Sequence, residues 1–434
     1  MRKTLQSTLL ALSALTAMGA HASTDITLWH AMGGTLGETV NQIVSDFNAS
    51  QSEVKVTPVF KGGYEETLTA GIAAFRAGAQ PNIIQVFDAG SATMIGAKGA
   101  TVPVQDLLNN NGYTFNIKDY ISGVRYFYAD AKGKMIGMPF NSSAPIMYYN
   151  KAALQKAGVQ APKTWEDFEA IAPKLKASGY IPLTQSHTPW IFVENFMSRH
   201  NLPFATNDNG YEGAKGTKIL VNNTAIKMHF QKLVNWKKAG LYEYFGPGWG
   251  DNQTPFEKQQ VAIWLGSSGS FGGLMKSAQF DFGAAPLPYW KSVIAEGKQS
   301  FIGGAALFAM SGKSAAENKA TAAFFNYLTS PKVQYFWHQA TGYVPVTNAA
   351  YDLAKQDGYY QRKPAAEVGI EQLNLPAGEW TKGYRMGFYV QTRDVMNREF
   401  GKLFNGDITV DQAFKTIESE GNALLERFAR TQAN

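Results

Sequence analysis

Apolar residues in the first part of the chain alternate between two spacings. Short runs typical of strands cover residues 25–29, 54–60 and 83–87. Helical spacing covers residues 35–47 and 64–77, and Gly78 closes the second helix. This alternation indicates a helix-covered parallel sheet, whose ligands bind beyond the carboxyl ends of its strands. Tyr64 and Asp88 lie at such ends, although each could serve only as a cap or turn residue, with Asp88 ending its strand.

The stretch from Pro139 to Gly158 changes from an extended to a helical pattern. Residues 143–149 form a largely buried extended run that follows the polar triplet Asn141-Ser142-Ser143. Asn150 has N-cap chemistry for a helix that Gly158 closes. Polar groups at the start of a buried strand need partners. Ser143 is therefore expected either to satisfy local backbone groups or to face a cleft where the chain passes from one lobe into another.

The second half adds two candidate ligand-contacting segments among further helices. Helical patterns cover residues 165–178, 189–200, 224–239, 314–328 and 331–340, with Thr164 and Asp167 as a capping box for the first. A buried strand over 261–265 opens into GSSGS at 266–270 and a short helix. This is either an anion site of free N–H groups and hydroxyls or a serine-rich cap. Gly303 and Gly304, before another strand, allow close approach to a ligand or a strand.

The first 22 residues are typical of a secretory signal peptide. Arg2 and Lys3 precede an apolar run over 5–17, and Ala20-His21-Ala22 has the form of a cleavage site. We therefore expect an exported protein that begins at Ser23. The chain has no cysteine, so it cannot form disulfides. Its formal net charge of +6 is mild and without a basic block, which argues against nucleic acid and is compatible with a small anionic ligand.

The remaining length fits two lobes better than one core. We predict discontinuous lobes, the first holding residues 24–141 and about 305–360, the second about 146–300 and 361–434. The aromatic content of 13% suits a sugar- or polyol-like ligand packed on ring faces.

The sequence contains none of the candidate motifs for catalysis or for metal binding in complete form. Gly312-Lys313-Ser314 resembles the end of a P-loop, but Leu307 stands where its first glycine is required. Neither Ser267 nor Ser270 lies in a G-x-S-x-G elbow. The six histidines lack the spacing of zinc ligands, so we expect no metal, no cofactor and no catalytic residue. A periplasmic glycosidase or phosphodiesterase stays a hypothesis from another class.

Several motifs together resemble one family of binding proteins. They are FKGGYE at 60–65, PFNSSAPIMYYNK at 139–151, SSGS at 267–270, IGGA at 302–305 and WHQATGYVPVT at 337–347. With them the chain resembles, over essentially its whole mature length, the periplasmic sn-glycerol-3-phosphate-binding proteins of bacterial ABC importers, which are related to maltose-binding proteins.

The resemblance implies a two-lobed α/β clamp, the type II periplasmic binding protein fold. Each lobe would be a helix-covered mixed sheet, with the ligand in the cleft between the lobes. The ligand would be sn-glycerol-3-phosphate, or a glycerophosphodiester such as glycerophosphocholine. The protein would work in the periplasm as a monomer and deliver its ligand to the ABC permease subunits and their ATPase. A sugar-binding protein of the same fold is the alternative.

Carried over position by position, the resemblance implies ligand contacts from Tyr64, Asp88, Ser143, Ser267, Gly304, Tyr343 and Arg393, with Trp190 and His187 as additional candidates. The guanidinium and the serine hydroxyls suit a phosphate. The carboxylate, held away from the phosphate, and the two tyrosines suit a glycerol moiety.

The chain departs from the family at two of these positions. Asp88 stands where the family has Glu and is one methylene shorter, a loss of reach of about 1.5 Å. His187 stands where the family tends to have a second Trp near the cleft. His187 is either an ordinary surface residue or a change in the space beyond the phosphate.

Overall fold

Two mixed sheets form the frame of the protein in the computed structural model, which describes residues 23–248 and 250–432. The predicted signal peptide lies outside these residues. The strands are β1 (Thr24–His30), β2 (Val54–Phe60), β3 (Ile83–Phe87), β4 (Thr101–Val102), β5 (Met138–Ser143), β6 (Pro145–Asn150), β7 (Ile181–Gln185), β8 (Val261–Ser267), β9 (Phe282–Pro286) and β10 (Gly303–Met310).

The first sheet combines the predicted parallel strands with a strand from much later in the chain. Its order is β2-β1-β3-β10, with β4 and β5 both pairing with the far edge of β10. Strand β1 runs parallel to β2 and β3, whereas β10 runs antiparallel to β3, β4 and β5. The amino end of β10 therefore lies at the same edge as the carboxyl ends of β1 and β3. Local spacing predicted the parallel strands but not this antiparallel insertion.

The second sheet is built from the middle of the chain in the order β7-β8-β6-β9. Strand β8 is parallel to β7 and antiparallel to β6, and β6 is antiparallel to β9. All seven residues of β8 are buried, as expected for an interior strand that has packed elements on both faces.

Helices cover both sheets. They are α1 (Gly34–Ser50), α2 (Tyr64–Arg76), α3 (Asp88–Gly96), α4 (Val104–Asn110), α5 (Ser122–Arg125), α6 (Lys151–Ala157), α7 (Trp165–Ala177), α8 (Asn195–Arg199), α9 (Thr206–Asn209), α10 (Thr224–Lys238), α11 (Gln253–Glu257), α12 (Phe271–Ser277), α13 (Ala315–Leu328), α14 (Pro331–Thr341), α15 (Asn348–Gln356), α16 (Tyr359–Arg362), α17 (Val368–Leu373), α18 (Tyr389–Asn405) and α19 (Val410–Gln432). Short 3-10 turns occur at Ile117–Asp119, Ser268–Ser270 and Pro364–Ala366, and Pro189–Glu194 is a π-helical turn. Within the described ranges, none of these helices has the length and apolar character needed to cross a bilayer.

A single residue, Ala144, separates β5 of the first sheet from β6 of the second. Its N–H donates to the Ser268 hydroxyl at 3.1 Å, and its carbonyl accepts the Ser268 N–H at 2.9 Å. Both are strong backbone groups that must be satisfied when buried, and Ala144 is fully buried. The extended run predicted over 143–149 is therefore two strands that belong to different sheets.

The predicted helix ends are confirmed where local chemistry determines them. The Asn150 side chain accepts from the Ala153 N–H at 3.0 Å, and Gly158 closes the same helix in the left-handed conformation. Thr164 and Asp167 form the expected capping box at the start of α7.

Two predicted elements differ from the structure. Asp88 does more than end its strand, because it is also the first residue of α3. The helix predicted over 189–200 begins with the π-helical turn before it becomes α-helical, and such turns are frequent at functional sites.

Two histidines outside the cleft are kept neutral by burial, and both ring nitrogens of each have a hydrogen-bonding partner. Trp290 N–H donates to Nε2 of His200 at 2.8 Å, and the other ring nitrogen lies 2.8 Å from the Phe196 carbonyl oxygen. The ring of His338 lies in the same way between the Tyr343 carbonyl and the Tyr360 hydroxyl. Burial lowers the pKa of His200 and of His338 to about 4 from the ordinary value of 6.5.

We expect the protein to lose stability as the pH falls from about 6.5 to about 4. A histidine whose pKa is lowered in the folded state takes up a proton on unfolding, so acid favours the unfolded chain. Urea unfolding at several pH values measures the slope of the free energy of unfolding against pH. His200→Gln should reduce that slope by up to one proton. An unchanged slope in this variant would show that His200 takes up no proton on unfolding.

Candidate ligand-binding cleft

A cavity of about 510 Å³ opens between the two sheets. All nine residues that the sequence predicted for ligand contact line it: Tyr64, Asp88, Ser143, His187, Trp190, Ser267, Gly304, Tyr343 and Arg393. They come from segments more than 300 positions apart in the sequence. The fold therefore brings the whole predicted set to one place, at a volume ordinary for a small-molecule site.

The ends of strands and the starts of helices position these side chains. Asp88 follows β3 directly, and Ser143 and Ser267 are the last residues of β5 and β8. Tyr64 is the first residue of α2. Because β10 is antiparallel, Gly304 at its amino end joins the same edge, where ligands of open sheets bind.

Glycine is required at position 304 because the backbone there lies against the backbone of Asn141. Its φ is +90°, and a Cβ at this position would lie 1.8 Å from the Asn141 carbonyl oxygen. A Cβ on Gly303 would meet the Trp190 ring at 2.4 Å. Close approach to a neighbouring strand and to an indole therefore explains both glycines, and Gly304 also borders the cavity.

Aromatic rings support the two tyrosines of the cleft. The Tyr64 ring stacks on Phe87, with 5.1 Å between centroids and an interplanar angle of 1°. The Tyr343 ring stacks on Trp337 at 5.7 Å, and Trp337 stacks on Phe140. These contacts fix the ring planes, so the hydroxyls have little freedom of position.

Arg393 forms the centre of a buried ion cluster. Its Nη2 lies 2.5 Å from Oδ2 of Asp88, and its Nη1 lies 3.3 Å from Oδ1 of the same residue. Its Nε and Nη2 also donate to Glu194, at 2.7 and 2.8 Å. These contacts use four of the five guanidinium N–H groups, which leaves one on Nη1 for a ligand.

Glu194 is the residue of this site that sequence reasoning missed. It is fully buried and also accepts from the hydroxyls of Tyr384 and Tyr389, each at 3.0 Å. The π-helical turn ends at Glu194 and places it there. A carboxylate within the apolar run PWIFVENF needs a buried cation, and this pattern could have identified it.

Asp88 and Arg393, which the resemblance assigned to the glycerol part and to the phosphate of a ligand, form an ion pair with each other. This pairing was not predicted from the sequence. Because Asp88 starts α3 and α18 packs against that helix, their side chains meet at the wall of the cavity.

The cluster controls which groups of the cleft are charged. Burial disfavours the Arg393 charge, but Asp88 and Glu194 outweigh this effect and raise the pKa of Arg393 well above its usual range. Burial raises the pKa of Glu194, against the opposing effect of Arg393. Burial, together with the Arg393 charge, lowers the pKa of His187 to about 4, so His187 is neutral near pH 7. Among the described lining residues, Arg393 is then the one cation, beside the acidic Glu65, Asp88 and Asp394.

The serine-rich turn after β8 acts mainly as a cap. The Ser267 hydroxyl accepts from the Gly269 N–H at 3.1 Å, and Ser268 is bonded to Ala144. Of this turn, only Ser267 lines the cavity within the described residues. Its hydroxyl proton is left for a further acceptor. Of the groups predicted to bind an anion here, the turn therefore offers the cavity one side-chain hydroxyl, that of Ser267. No group of histidines and acidic residues in the described ranges is placed to hold a metal ion.

We expect Arg393→Ala to destabilise the fold as well as the site. The change leaves Asp88 and Glu194 buried together without a cation, and breaking a buried pair in this way costs about 3–5 kcal/mol. Chemical unfolding measures the loss. Arg430→Ala is the control, because Arg430 and its partner Glu426 are both more than 70% exposed, and the expected cost is under about 0.5 kcal/mol. Similar losses for the two variants would show that the cluster adds no stability.

The chain is similar to known proteins over most of its length. A family model for bacterial extracellular solute-binding proteins matches residues 42–368. The sn-glycerol-3-phosphate-binding periplasmic protein UgpB of Agrobacterium fabrum is 41% identical over 426 residues, which cover 96% of each chain. UgpB of Pectobacterium atrosepticum is 39% identical, over 96% of this chain and 95% of that protein.

The fold has solved counterparts. UgpB from Mycobacterium tuberculosis, in complex with glycerophosphocholine, superposes with a TM-score of 0.78 at 22% identity, over 93% of this chain and 99% of that one. A cyclic alpha-maltosyl-1,6-maltose binding protein from Arthrobacter globiformis superposes with a TM-score of 0.74 at 21% identity, over 93% of this chain and 100% of that one. These are two-lobed periplasmic binding proteins, so the predicted fold class is confirmed. The chain belongs to the bacterial extracellular solute-binding proteins, which act in the periplasm or outside the cell.

Proposed function

We propose that the protein binds sn-glycerol-3-phosphate, and glycerophosphodiesters such as glycerophosphocholine, in the cleft between its lobes. It then delivers the ligand to the membrane permease and the ATPase of an ABC importer. The observation that carries the proposal is the convergence of Arg393, the Ser143 and Ser267 hydroxyls and two tyrosines on one cavity. A phosphate oxygen accepts hydrogen bonds from all these groups.

The relatives support the choice of ligand. Those at 39–41% identity over almost the whole chain are named for binding sn-glycerol-3-phosphate. The cavity of about 510 Å³ has room for a glycerol phosphate that carries a further head group, which favours including the diesters.

Each of the nine predicted contact residues has a proposed role. Arg393 donates to a phosphate oxygen through Nη1, and Ser143 and Ser267 donate to the same group. The rings of Tyr64 and Tyr343 cover the glycerol carbons while their hydroxyls donate to phosphate oxygens, and Gly304 lets the ligand approach the backbone. Asp88 accepts from a glycerol hydroxyl while it stays on Arg393. Trp190 and His187 border the space beyond the phosphate.

The proposal includes how the chain is divided. One lobe holds about residues 24–141 and 305–360, and the other holds about 146–300 and 361–434, so that contacts from both can close on the ligand. We propose that the protein is a periplasmic monomer that binds its ligand without transforming it.

A ligand panel tests the proposed function. We expect isothermal titration calorimetry of purified mature protein to show saturable binding of sn-glycerol-3-phosphate and glycerophosphocholine, and none of maltose. Chromatography after long incubation should return both ligands intact. Tight binding of maltose alone would favour the sugar-binding alternative. Release of choline or glycerol from the diester would show that the protein is an enzyme.

Asp88→Asn tests whether the ion cluster affects the preference between ligands of different charge. The change keeps the size of the side chain and removes one negative charge beside Arg393. A dianionic phosphate gains more from this than a phosphodiester, which carries a single negative charge on its phosphate. We expect the affinity for sn-glycerol-3-phosphate, divided by that for glycerophosphocholine, to rise about tenfold, or about 1.4 kcal/mol. Calorimetry with both ligands measures this ratio.

Asp88→Glu is the matched control, because it keeps the charge and adds one methylene. Its ratio should stay near that of the unmodified protein. A ratio that does not change in Asp88→Asn would show that the ligand phosphate lies far from this carboxylate.

A further inference from the structure

The buried side-chain amides of Gln85 and Asn141 form a line of hydrogen bonds, the amide relay, behind the tyrosines of the cleft. Ala31 N–H donates to Oε1 of Gln85 at 2.7 Å, and Nε2 of Gln85 donates to Oδ1 of Asn141 at 2.8 Å. Nδ2 of Asn141 donates to the Tyr64 hydroxyl oxygen at 2.8 Å. Gln85 and Asn141 are fully buried, on strands that pair with opposite edges of β10, and neither borders the cavity.

The direction of these hydrogen bonds follows from their first member. A backbone N–H can only donate, so Gln85 must present its oxygen to Ala31 and its nitrogen to Asn141. Asn141 must then present its oxygen to Gln85 and its nitrogen to Tyr64. The ambiguity of an isolated amide is therefore removed for both side chains.

The Tyr64 hydroxyl receives a hydrogen bond and must give its own proton elsewhere. Burial raises the pKa of both Tyr64 and Tyr343, so both hydroxyls keep their protons, and the two side chains lie close enough to affect each other's pKa. If Tyr64 donates to Tyr343, then Tyr343 must donate onward. In either case one proton of the pair is left for an acceptor in the cavity.

We propose that Gln85 and Asn141 are positioning residues that fix the tyrosine pair as hydrogen-bond donors. The ligand must then place an acceptor oxygen at this point of the cleft. Phosphate and phosphodiester oxygens only accept, so they satisfy the tyrosines fully. This inference rests on the proposed ligand class, and it adds two specificity-determining residues that make no contact with the ligand.

Gln85→Glu reverses the relay without touching the cavity. A carboxylate accepts from Ala31 N–H with one oxygen and from Asn141 with the other, so the Asn141 amide must turn over. Its oxygen then accepts the Tyr64 proton, so the tyrosine pair has one proton fewer to give to the ligand. We expect sn-glycerol-3-phosphate to bind about tenfold more weakly or worse in calorimetry, because the ligand loses a hydrogen-bond donor.

Two comparisons separate the effect of reversing the hydrogen bonds from the effect of the negative charge that Gln85→Glu adds. In a background that lacks both hydroxyls, Tyr64→Phe with Tyr343→Phe, Gln85→Glu should weaken binding by less than about threefold. Gln372→Glu is the matched control, because Gln372 is also fully buried and accepts a backbone N–H, from Leu287 at 2.8 Å, but lies off the cavity. An equal loss in the double-Phe background, an equal loss in Gln372→Glu, or no loss in Gln85→Glu would each overturn the proposal.

A measurement without ligand keeps this test separate from the proposed function. In a neutron structure of the deuterated protein, the Tyr64 deuteron should point away from Asn141, toward Tyr343 or the cavity. A deuteron directed at Asn141 would overturn the relay whichever ligand the protein binds. If the unmodified protein binds neither phosphate ligand but the deuteron points as expected, the proposed ligand class is wrong and the relay stands. The same measurement on Asn141→Asp, where the deuteron should point at residue 141, decides the matter if Gln85→Glu does not fold.

Discussion

The Arg393 guanidinium is the interaction on which the architecture of the cleft depends. It joins the start of α3 beside the first sheet, the π-helical turn that precedes α8, and the helix α18. Two carboxylates and one cation are tolerable in a low-dielectric interior only when each is paired and hydrogen-bonded. Tyr384 and Tyr389 complete the pairing of Glu194. The contacts that form this wall of the cleft are thus the same contacts that hold three distant segments of the chain together.

This arrangement determines the electrostatic character of the binding site. The one cation among its described lining residues is shared with two carboxylates, so the attraction it can offer to an anion is directional and local. Recognition must then come from placed donors, namely the remaining Arg393 N–H, the serine hydroxyls and the tyrosine protons, more than from net charge. Such donors discriminate by geometry and by hydrogen-bond direction.

Much of the fold could be predicted from the sequence, because helix ends and short strands follow from local chemistry. Asn150 and Gly158 determine the limits of α6 without tertiary information. The antiparallel insertion of β10 had no local pattern, since a pairing between residues far apart is not encoded in spacing. For the cleft, motif resemblance supplied the lining residues, whereas physical chemistry alone left Asp88 and Ser143 open to structural roles. Gln85 within IIQVF and Glu194 within an apolar run carried a detectable pattern, a polar group among buried neighbours, but not the identity of the partner.

The one-residue junction at Ala144 has a kinematic consequence. Successive Cα atoms are about 3.8 Å apart whatever the backbone does, so the end of β5 and the start of β6 cannot separate. Ser268 also holds the junction through two hydrogen bonds. At Ala144 the two sheets can therefore rotate relative to each other but cannot move apart. Ser143 lies one residue from this fixed point and would move little, whereas the far rim of the cavity would travel farther.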